Sequence, residues 1–244
     1  MKEPTAALGV QETAMVLDSI RTVRDCVPAS SWAELVGPVQ QLAGAGHRSI
    51  LGIAGPPGAG KSTLAGHLVA AAGPAAALVA MDGFHLANAE LCRLGRADRK
   101  GAPDTFDVHG YLALLRRLRY SADEPVYAPR FDRGLEEPVA GSVLVDPGIA
   151  LVVTEGNYLL LAEPPWSSIR PLLDFAWYCE LAEAERLRRL EARHRAYGKS
   201  PAAAAAWAHG PDQRNARLVQ SSRSRADLVV DYAALGIPAP AGGP

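Results

Sequence analysis

Apolar residues along the chain follow two patterns, recurrence at helical spacing and short unbroken runs. Val16, Ile20, Val23 and Val27 recur at alternating intervals of four and three, which predicts a helix with one apolar stripe. Ser31-Trp32-Ala33-Glu34 has the form of a capping box, and Leu35, Val39 and Leu42 continue an apolar face behind it. Gly37-Pro38 is expected to interrupt or kink that second helix. Ser49-Ile50-Leu51-Gly52-Ile53-Ala54 is instead a continuous apolar run stopped by glycine and proline, the pattern of a strand buried on both faces. Leu64, Leu68 and Val69 then return to helical spacing. Ala76 to Met81 and Ala150 to Thr154 are further apolar runs, and each ends on an acid, Asp82 and Glu155.

Asp107 is placed to cap a helix carrying Tyr111, Leu115 and Leu118, and Leu181, Leu187 and Leu190 mark another that is dense in arginine. Ala202 to Ala206 reads as helix, Asp212 as the cap of a last helix, and Ala226 to Val230 as a final strand. Strand, glycine turn, helix and strand in succession predict an α/β fold with a parallel sheet, whose ligands gather at the carboxyl ends of the strands. Asp82 and Glu155 fall at those ends, where a turn residue or helix cap is the plainer occupant.

At 48% hydrophobic and 21% charged residues, the chain has the composition of a globular domain. A net charge of -1 lacks the positive field that a nucleic-acid polymer requires, so no such partner is expected. Cys26, Cys92 and Cys179 are far apart, which suggests neither a disulfide framework nor a zinc site and fits a reducing, cytoplasmic setting. No window approaches the roughly 18 apolar residues of a membrane span, and no apolar segment follows the first residues as in a signal peptide. Neither a membrane nor secretion is expected.

Gly55-Pro56-Pro57-Gly58-Ala59-Gly60-Lys61-Ser62 satisfies the pattern G-x-x-x-x-G-K-S/T between a strand and a helix. Glycines let the backbone curl so that successive N–H groups point at phosphate oxygens, and the following helix adds its positive end. Lys61 is expected to reach the β and γ phosphates, Ser62 to place its hydroxyl on Mg²⁺, and Thr63 to contact a phosphate. The bland reading, a glycine-rich turn with an incidental lysine, does not account for that context. ATPases, GTPases and kinases share this loop, but no N-K-x-D stretch for reading guanine is present.

From here the residues resemble the superfamily of pantothenate, uridine, phosphoribulose and related kinases. Arg99-Lys100-Gly101-Ala102-Pro103-Asp104-Thr105-Phe106-Asp107 is similar to a segment of bacterial pantothenate kinases. Val126-Tyr127-Ala128-Pro129-Arg130-Phe131-Asp132 is similar to segments of both pantothenate and uridine kinases, and Glu155-Gly156-Asn157 to their E-G after the Walker B strand. The resemblance runs from about Ser49 to Val230 and is strongest to the fructokinase-like, nucleoside or nucleotide kinase branch. It implies a P-loop NTPase fold with a five-stranded, mostly parallel sheet flanked by helices. Residues 1–47 would form an N-terminal helical extension, 48–235 the kinase domain with a helical lid at about 183–210, and 236–244 a flexible tail.

The same resemblance implies ATP and Mg²⁺ as cofactors and Asp82 as the base that accepts the acceptor's hydroxyl proton. Glu155 is assigned to the Mg²⁺ shell with Ser62. Arg186, Arg188, Arg189, Arg193, His194 and Arg195 crowd one helix like the lid of such kinases, and helical spacing makes Arg186, Arg189 and Arg193 the inward set. Arg193 is taken as catalytic with Lys61 and Asp82, and Arg189 as nucleotide-binding; a solvent-exposed basic helix is the alternative. His85, Arg99, Lys100, Tyr127, Arg130 and Asn157 are candidates for the substrate pocket. The chain departs from its relatives at Arg133 and at Leu135-Glu136-Glu137, where uridine and pantothenate kinases carry histidine nearby, so the acceptor does not transfer. A kinase for a sugar, polyol, nucleoside or pantothenate-like alcohol leads, with a nucleotide kinase and a non-catalytic ATP-dependent module as alternatives; a homodimer stays open.

Overall fold

The computed structural model describes residues 29–121 and 123–237; the stripe from Val16 to Val27, Cys26 and the tail from 238 lie outside the described residues. In chain order the strands are β1 (Ser49–Ala54), β2 (Ala76–Ala80), β3 (Val126–Asp132), β4 (Glu137–Val145), β5 (Leu151–Glu155), β6 (Phe175–Glu180) and β7 (Leu228–Asp231). The helices of six residues or more are α1 (Trp32–Gly44), α2 (Lys61–Ala72), α3 (Asn88–Arg93), α4 (Val108–Tyr120), α5 (Glu183–Ala196), α6 (Pro201–Trp207) and α7 (Gln213–Gln220). Among the described residues no helix is long and apolar enough to cross a membrane.

Five strands form one sheet in the order β2-β5-β1-β6-β7. Its pairings are all parallel, where a mostly parallel sheet was expected, because each connection crosses a face of the sheet before returning. β1 is buried along its whole length, as its unbroken apolar sequence requires. From β1 the chain passes to β2 on one side, and β6 later returns to the other. The carboxyl end of β1 therefore lies at the switch point where open α/β sheets leave a crevice.

On one face, α1 and α2 bury Leu35, Val39, Leu42, Leu64 and Leu68 against Leu51, Ile53, Val153 and Trp177. On the other, α4 buries Tyr111, Leu115 and Leu118 against Ile50, Val79, Val152 and Tyr178. α1 runs unbroken through Pro38, against the expected interruption. Mid-helix proline costs about 3 kcal/mol, whereas each fully buried aliphatic side chain contributes about 1.5–3 kcal/mol. Leu35, Val39 and Leu42, on both sides of the proline, outweigh it. The Glu34 amide donates to the Ser31 hydroxyl at 3.4 Å, which in turn donates to the Glu34 carboxylate at 2.7 Å.

β6 carries the apolar run Phe175-Ala176-Trp177-Tyr178-Cys179 and joins the sheet between β1 and β7. β3 and β4 form a separate antiparallel hairpin. A Cβ on Gly83 would stand 2.4 Å from the Pro129 carbonyl oxygen, so the hairpin docks directly on the turn after β2. That contact sets Phe131 and Arg133 beside Asp82. Asp212 does not cap α7 with its side chain. It lies in a π-helical turn, Ala208–Asp212, whose geometry sends its carboxylate to His194 instead, at 2.7 Å.

Candidate active site

The turn after β1 approaches its surroundings so closely that side chains are excluded. Gly55 has φ of 149° and Gly58 φ of 81°. A Cβ on Gly55 would lie 2.3 Å from the Cys179 carbonyl oxygen, and one on Gly58 2.8 Å from Leu190 Cγ and 2.9 Å from the Arg186 carbonyl oxygen. The loop is therefore bare backbone held against β6 and α5. Gly60, also left-handed, starts α2, whose first amides have no partner within the helix. Such a loop fits phosphate oxygens.

Lys61 is buried, with its ammonium donating to the Pro56 carbonyl at 3.0 Å and to Asn157 Oδ1 at 2.8 Å. Burial pulls its pKa below the usual lysine value, against the attraction of Glu155 and Asp82. The Ser62 hydroxyl donates to Glu155 Oε1 at 2.9 Å. Glu155 closes β5, in register with Ile53 of β1 and Ala80 of β2, so the acid stands directly across from the start of α2. Hard oxygens of this kind suit Mg²⁺, which is commonly held by few protein ligands and completed by water and substrate phosphates. Among the described residues, no group of three or more His, Cys, Asp or Glu could hold a metal by itself.

Asp82 sits in the 3-10 turn Met81–Phe84 that ends β2, partly open to the crevice. Arg133 Nη2 lies 3.6 Å from its Oδ2. Burial by itself would raise the Asp82 carboxyl, but His85, Arg133, Lys61 and Arg193 outweigh it and hold it below the ordinary aspartate value. Glu155 moves the other way, raised by burial and then by the charge of Asp82. Two carboxylates facing one space are thus separated by their surroundings, with Asp82 the more acidic. His85 Nδ1 lies 2.8 Å from the Asp82 carbonyl oxygen, and its ring packs against Phe106 and Phe131; burial lowers its pKa, favouring the neutral ring.

These groups line one cavity of about 390 Å³. Of the residues singled out in the sequence, Pro57, Gly58, Lys61, Ser62, Asp82, His85, Lys100, Glu155, Asn157 and Arg193 reach it. Others point elsewhere. Arg99 pairs with Asp104 at 2.9 Å and with Asp98 at 3.3 Å on the surface. Tyr127 and Arg130 lie on the outer face of the hairpin, opposite Leu144 and Val139, with Tyr127 58% exposed. Strand alternation, which turns Val126 and Ala128 inward, puts Tyr127 outside, and the register shift between Ala128 and Arg130 reverses the parity and turns Arg130 outward.

Along α5, Arg186 is buried and donates to the Pro57 carbonyl at 3.1 Å and to Gln213. Arg189 pairs with Glu185 at 2.8 Å and lies over the Tyr232 ring, outside the cavity. Arg188 and Arg195 face solvent. The cavity also gathers Arg133, Glu136, Tyr197, Lys199, Trp207, Asp212 and Asn215. Arg133 and Phe131 share parity with the outward Tyr127 and reach the cavity only because the register shifts between Ala128 and Arg130, which strand alternation does not signal; the His194–Asp212 pair has no local sequence signal, because a π-helical turn creates it.

No protein-family model matches the chain. It is similar to a proposed uridine kinase from Schizosaccharomyces pombe, 34% identical over 179 residues, 70% of this chain and 76% of that protein. A pantothenate kinase from Bacillus velezensis is 33% identical over 147 residues, 55% of this chain and 46% of that enzyme. The crystal structure of a proposed fructose transport system kinase from Silicibacter sp. TM1040 superposes with a TM-score of 0.72 at 36% identity, over 80% of this chain and 98% of that one.

Proposed function

Because this chain belongs to the P-loop kinases of the pantothenate kinase, uridine kinase and phosphoribulokinase superfamily, and so uses ATP, we propose that it transfers the γ-phosphoryl group of Mg-ATP to a hydroxyl of a small metabolite. The observation that carries this reading is the lining of one cavity by the bare glycine loop, Lys61 and the depressed carboxylate Asp82. A kinase needs little covalent help and much positioning, and in this reading the glycine loop is the phosphate cradle and Asp82 the base.

In this reading the acceptor hydroxyl donates its proton to Asp82 as its oxygen bonds to the γ phosphorus. The bond to the bridging oxygen breaks and its electron pair leaves with ADP. Lys61 and Arg193 neutralise charge on the transferring oxygens, and the backbone amides of residues 55–63 hold the phosphates. Ser62 and Glu155 would hold Mg²⁺, which would supply charge neutralisation to the nucleotide phosphates. His85, Lys100, Asn157 and Arg133 orient the acceptor. Arg189, over Tyr232, borders the nucleotide. We assign residues 48–235 to the kinase domain and about 183–210 to its lid, with Gly198 at φ of 91° as the hinge-side break; closure excludes the water that would otherwise hydrolyse ATP.

The test is ADP release in the presence of sugars, polyols, nucleosides, pantothenate and their monophosphates, with Lys61→Ala as the blank. An acceptor that raises ADP release well above basal hydrolysis in the parent and not in the variant supports the reading. Basal hydrolysis unchanged by every acceptor, together with a protein partner that binds only in the presence of ATP, supports a non-catalytic module instead.

A further inference from the structure

We infer that the acceptor carries an anionic group, a carboxylate or a phosphate monoester, beside the hydroxyl that is phosphorylated. This rests on the kinase reading and narrows its substrate. The cavity holds more positive charge than phosphoryl transfer uses. Lys61 and Arg193 serve the transferring phosphate, whereas Lys100 and Lys199 form a second group on the same lining. The Lys100 ammonium donates to Asn88 Oδ1 at 2.6 Å and to the Glu136 carbonyl at 2.5 Å. Both partners are neutral oxygens, and an ammonium has three donors, so one is left over. No ion pair reaches Lys100, Lys199 or Arg193 among the described residues.

Four carboxylates, Asp82, Glu136, Glu155 and Asp212, share the lining with the five cations Lys61, Lys100, Arg133, Arg193 and Lys199, and three of the nearby acids already accept hydrogen bonds. Asp212 is bonded to His194, Glu155 to Ser62, and Glu137 accepts the Asn88 amide at 2.9 Å. Burial disfavours the charged form of Lys100, Glu136 of the lining and Glu137 offset part of that cost, and Lys199 adds repulsion. Burial and then the charge of Arg133 disfavour the charged form of Arg193, which Asp212 and Asp82 partly restore. Like charges gathered in a partly desolvated space are costly until an anion arrives, and charge-assisted bonds to carboxylate or phosphate then offset that cost.

The aromatic lining argues for a compact anion and against a stacked base. Phe131 has Lys100 and Arg133 over its ring at 5.1 and 5.9 Å. Tyr197 carries Arg133 at 5.9 Å and Trp207 carries Lys199 at 5.0 Å. Each of these three rings bears a cation, and Phe106, which also lines the cavity, packs against His85, Tyr158 and Trp166, so the three present charge to the acceptor through groups they hold in place.

The experiment compares matched triplets: glycerol, glycerate and glycerol 3-phosphate; glucitol, gluconate and glucitol 6-phosphate; with uridine and fructose as further neutral compounds. Binding to the full chain is measured by calorimetry with Mg²⁺ and a nonhydrolysable ATP analogue, and turnover by ADP release with ATP. A charged member is expected to bind at least about tenfold tighter than its neutral partner, and the two charged arms separate carboxylate from phosphate. Lys100→Gln and Lys199→Gln, read separately, are expected to raise KM for the charged acceptor about ten- to a hundredfold with KM for ATP within about twofold. Equal use of neutral and charged compounds, absence of charge selectivity in both assays, or an unchanged acceptor KM in Lys100→Gln overturns the inference. Charge-selective binding that Lys100→Gln abolishes, without ADP release from any compound, leaves the anion site standing and removes the kinase reading instead.

Discussion

Replacing Arg133 by methionine removes its charge from Asp82 while keeping an apolar stem against Phe131. Arg133 Nη2 and Asp82 Oδ2 are 3.6 Å apart, and the two side chains are 37% and 31% exposed. Unit charges at that separation attract by about 1 kcal/mol in water and about 5 kcal/mol at an effective dielectric constant near 20. With a third of each side chain in solvent, the lower figure governs. One pH unit corresponds to about 1.4 kcal/mol, so the carboxyl should rise by about 0.7 unit. Arg133 lowers the Asp82 pKa, so its removal raises it. A base works only when ionised, so kcat declines as pH falls through that pKa. The acidic limb of kcat in Arg133→Met should therefore move toward neutrality by about 0.7 unit, measured at saturating ATP and acceptor so that weaker acceptor binding does not enter. Bound phosphates shift both proteins' limbs together and leave the difference. An unmoved limb, or one displaced toward acid, would refute the assignment of Asp82 as the titrating base.

Gly58→Ala forces a Cβ toward Leu190 Cγ and the Arg186 carbonyl in a left-handed conformation; a loss of about 1–2 kcal/mol in urea unfolding, with a raised KM for ATP, is expected, and unchanged values for both would mean the loop does not seat on α5. Ser62→Ala removes the donor to Glu155 and should raise the Mg²⁺ concentration for half-maximal rate about tenfold, with an unchanged requirement counting against Ser62 as a ligand. Leu35→Ala should cost about 2–5 kcal/mol by cavity formation under α1; a cost below about 0.5 kcal/mol, the range of a surface substitution, would show that α1 is peripheral.

Much of the sheet is legible because strands of a covered parallel sheet are dominated by apolar residues and read as nearly continuous apolar runs. Ser49–Ala54, the run before Asp82 and the run before Glu155 stand out for that reason, and so does the glycine loop that must follow the first of them. The hairpin does not stand out. Pro129, Pro138 and Gly141 break its alternation, and without the register shift between Ala128 and Arg130 Tyr127 and Arg130 look as eligible for the pocket as Phe131 and Arg133. Pro38 misleads in the opposite sense, because its cost is local and visible whereas the burial that offsets it is tertiary. The half of the cavity formed by His194, Lys199, Asp212 and Asn215 depends on how α5, α6 and α7 fold back on one another, and a π-helical turn decides where Asp212 points. No periodicity in the chain encodes that. Resemblance to known kinases singles out the glycine loop and Lys61 for the phosphates and leaves the acceptor end of the cavity to be read from geometry.

The most direct test of the central claim is a paired measurement on Asp82→Asn: ATP affinity by titration with a fluorescent nucleotide, and kcat with the acceptor identified by ADP release. Asparagine preserves shape and removes the base, so affinity should stay within about threefold while kcat falls about 10²–10⁴-fold. A variant that binds ATP normally and still turns over at the parent rate would contradict the account.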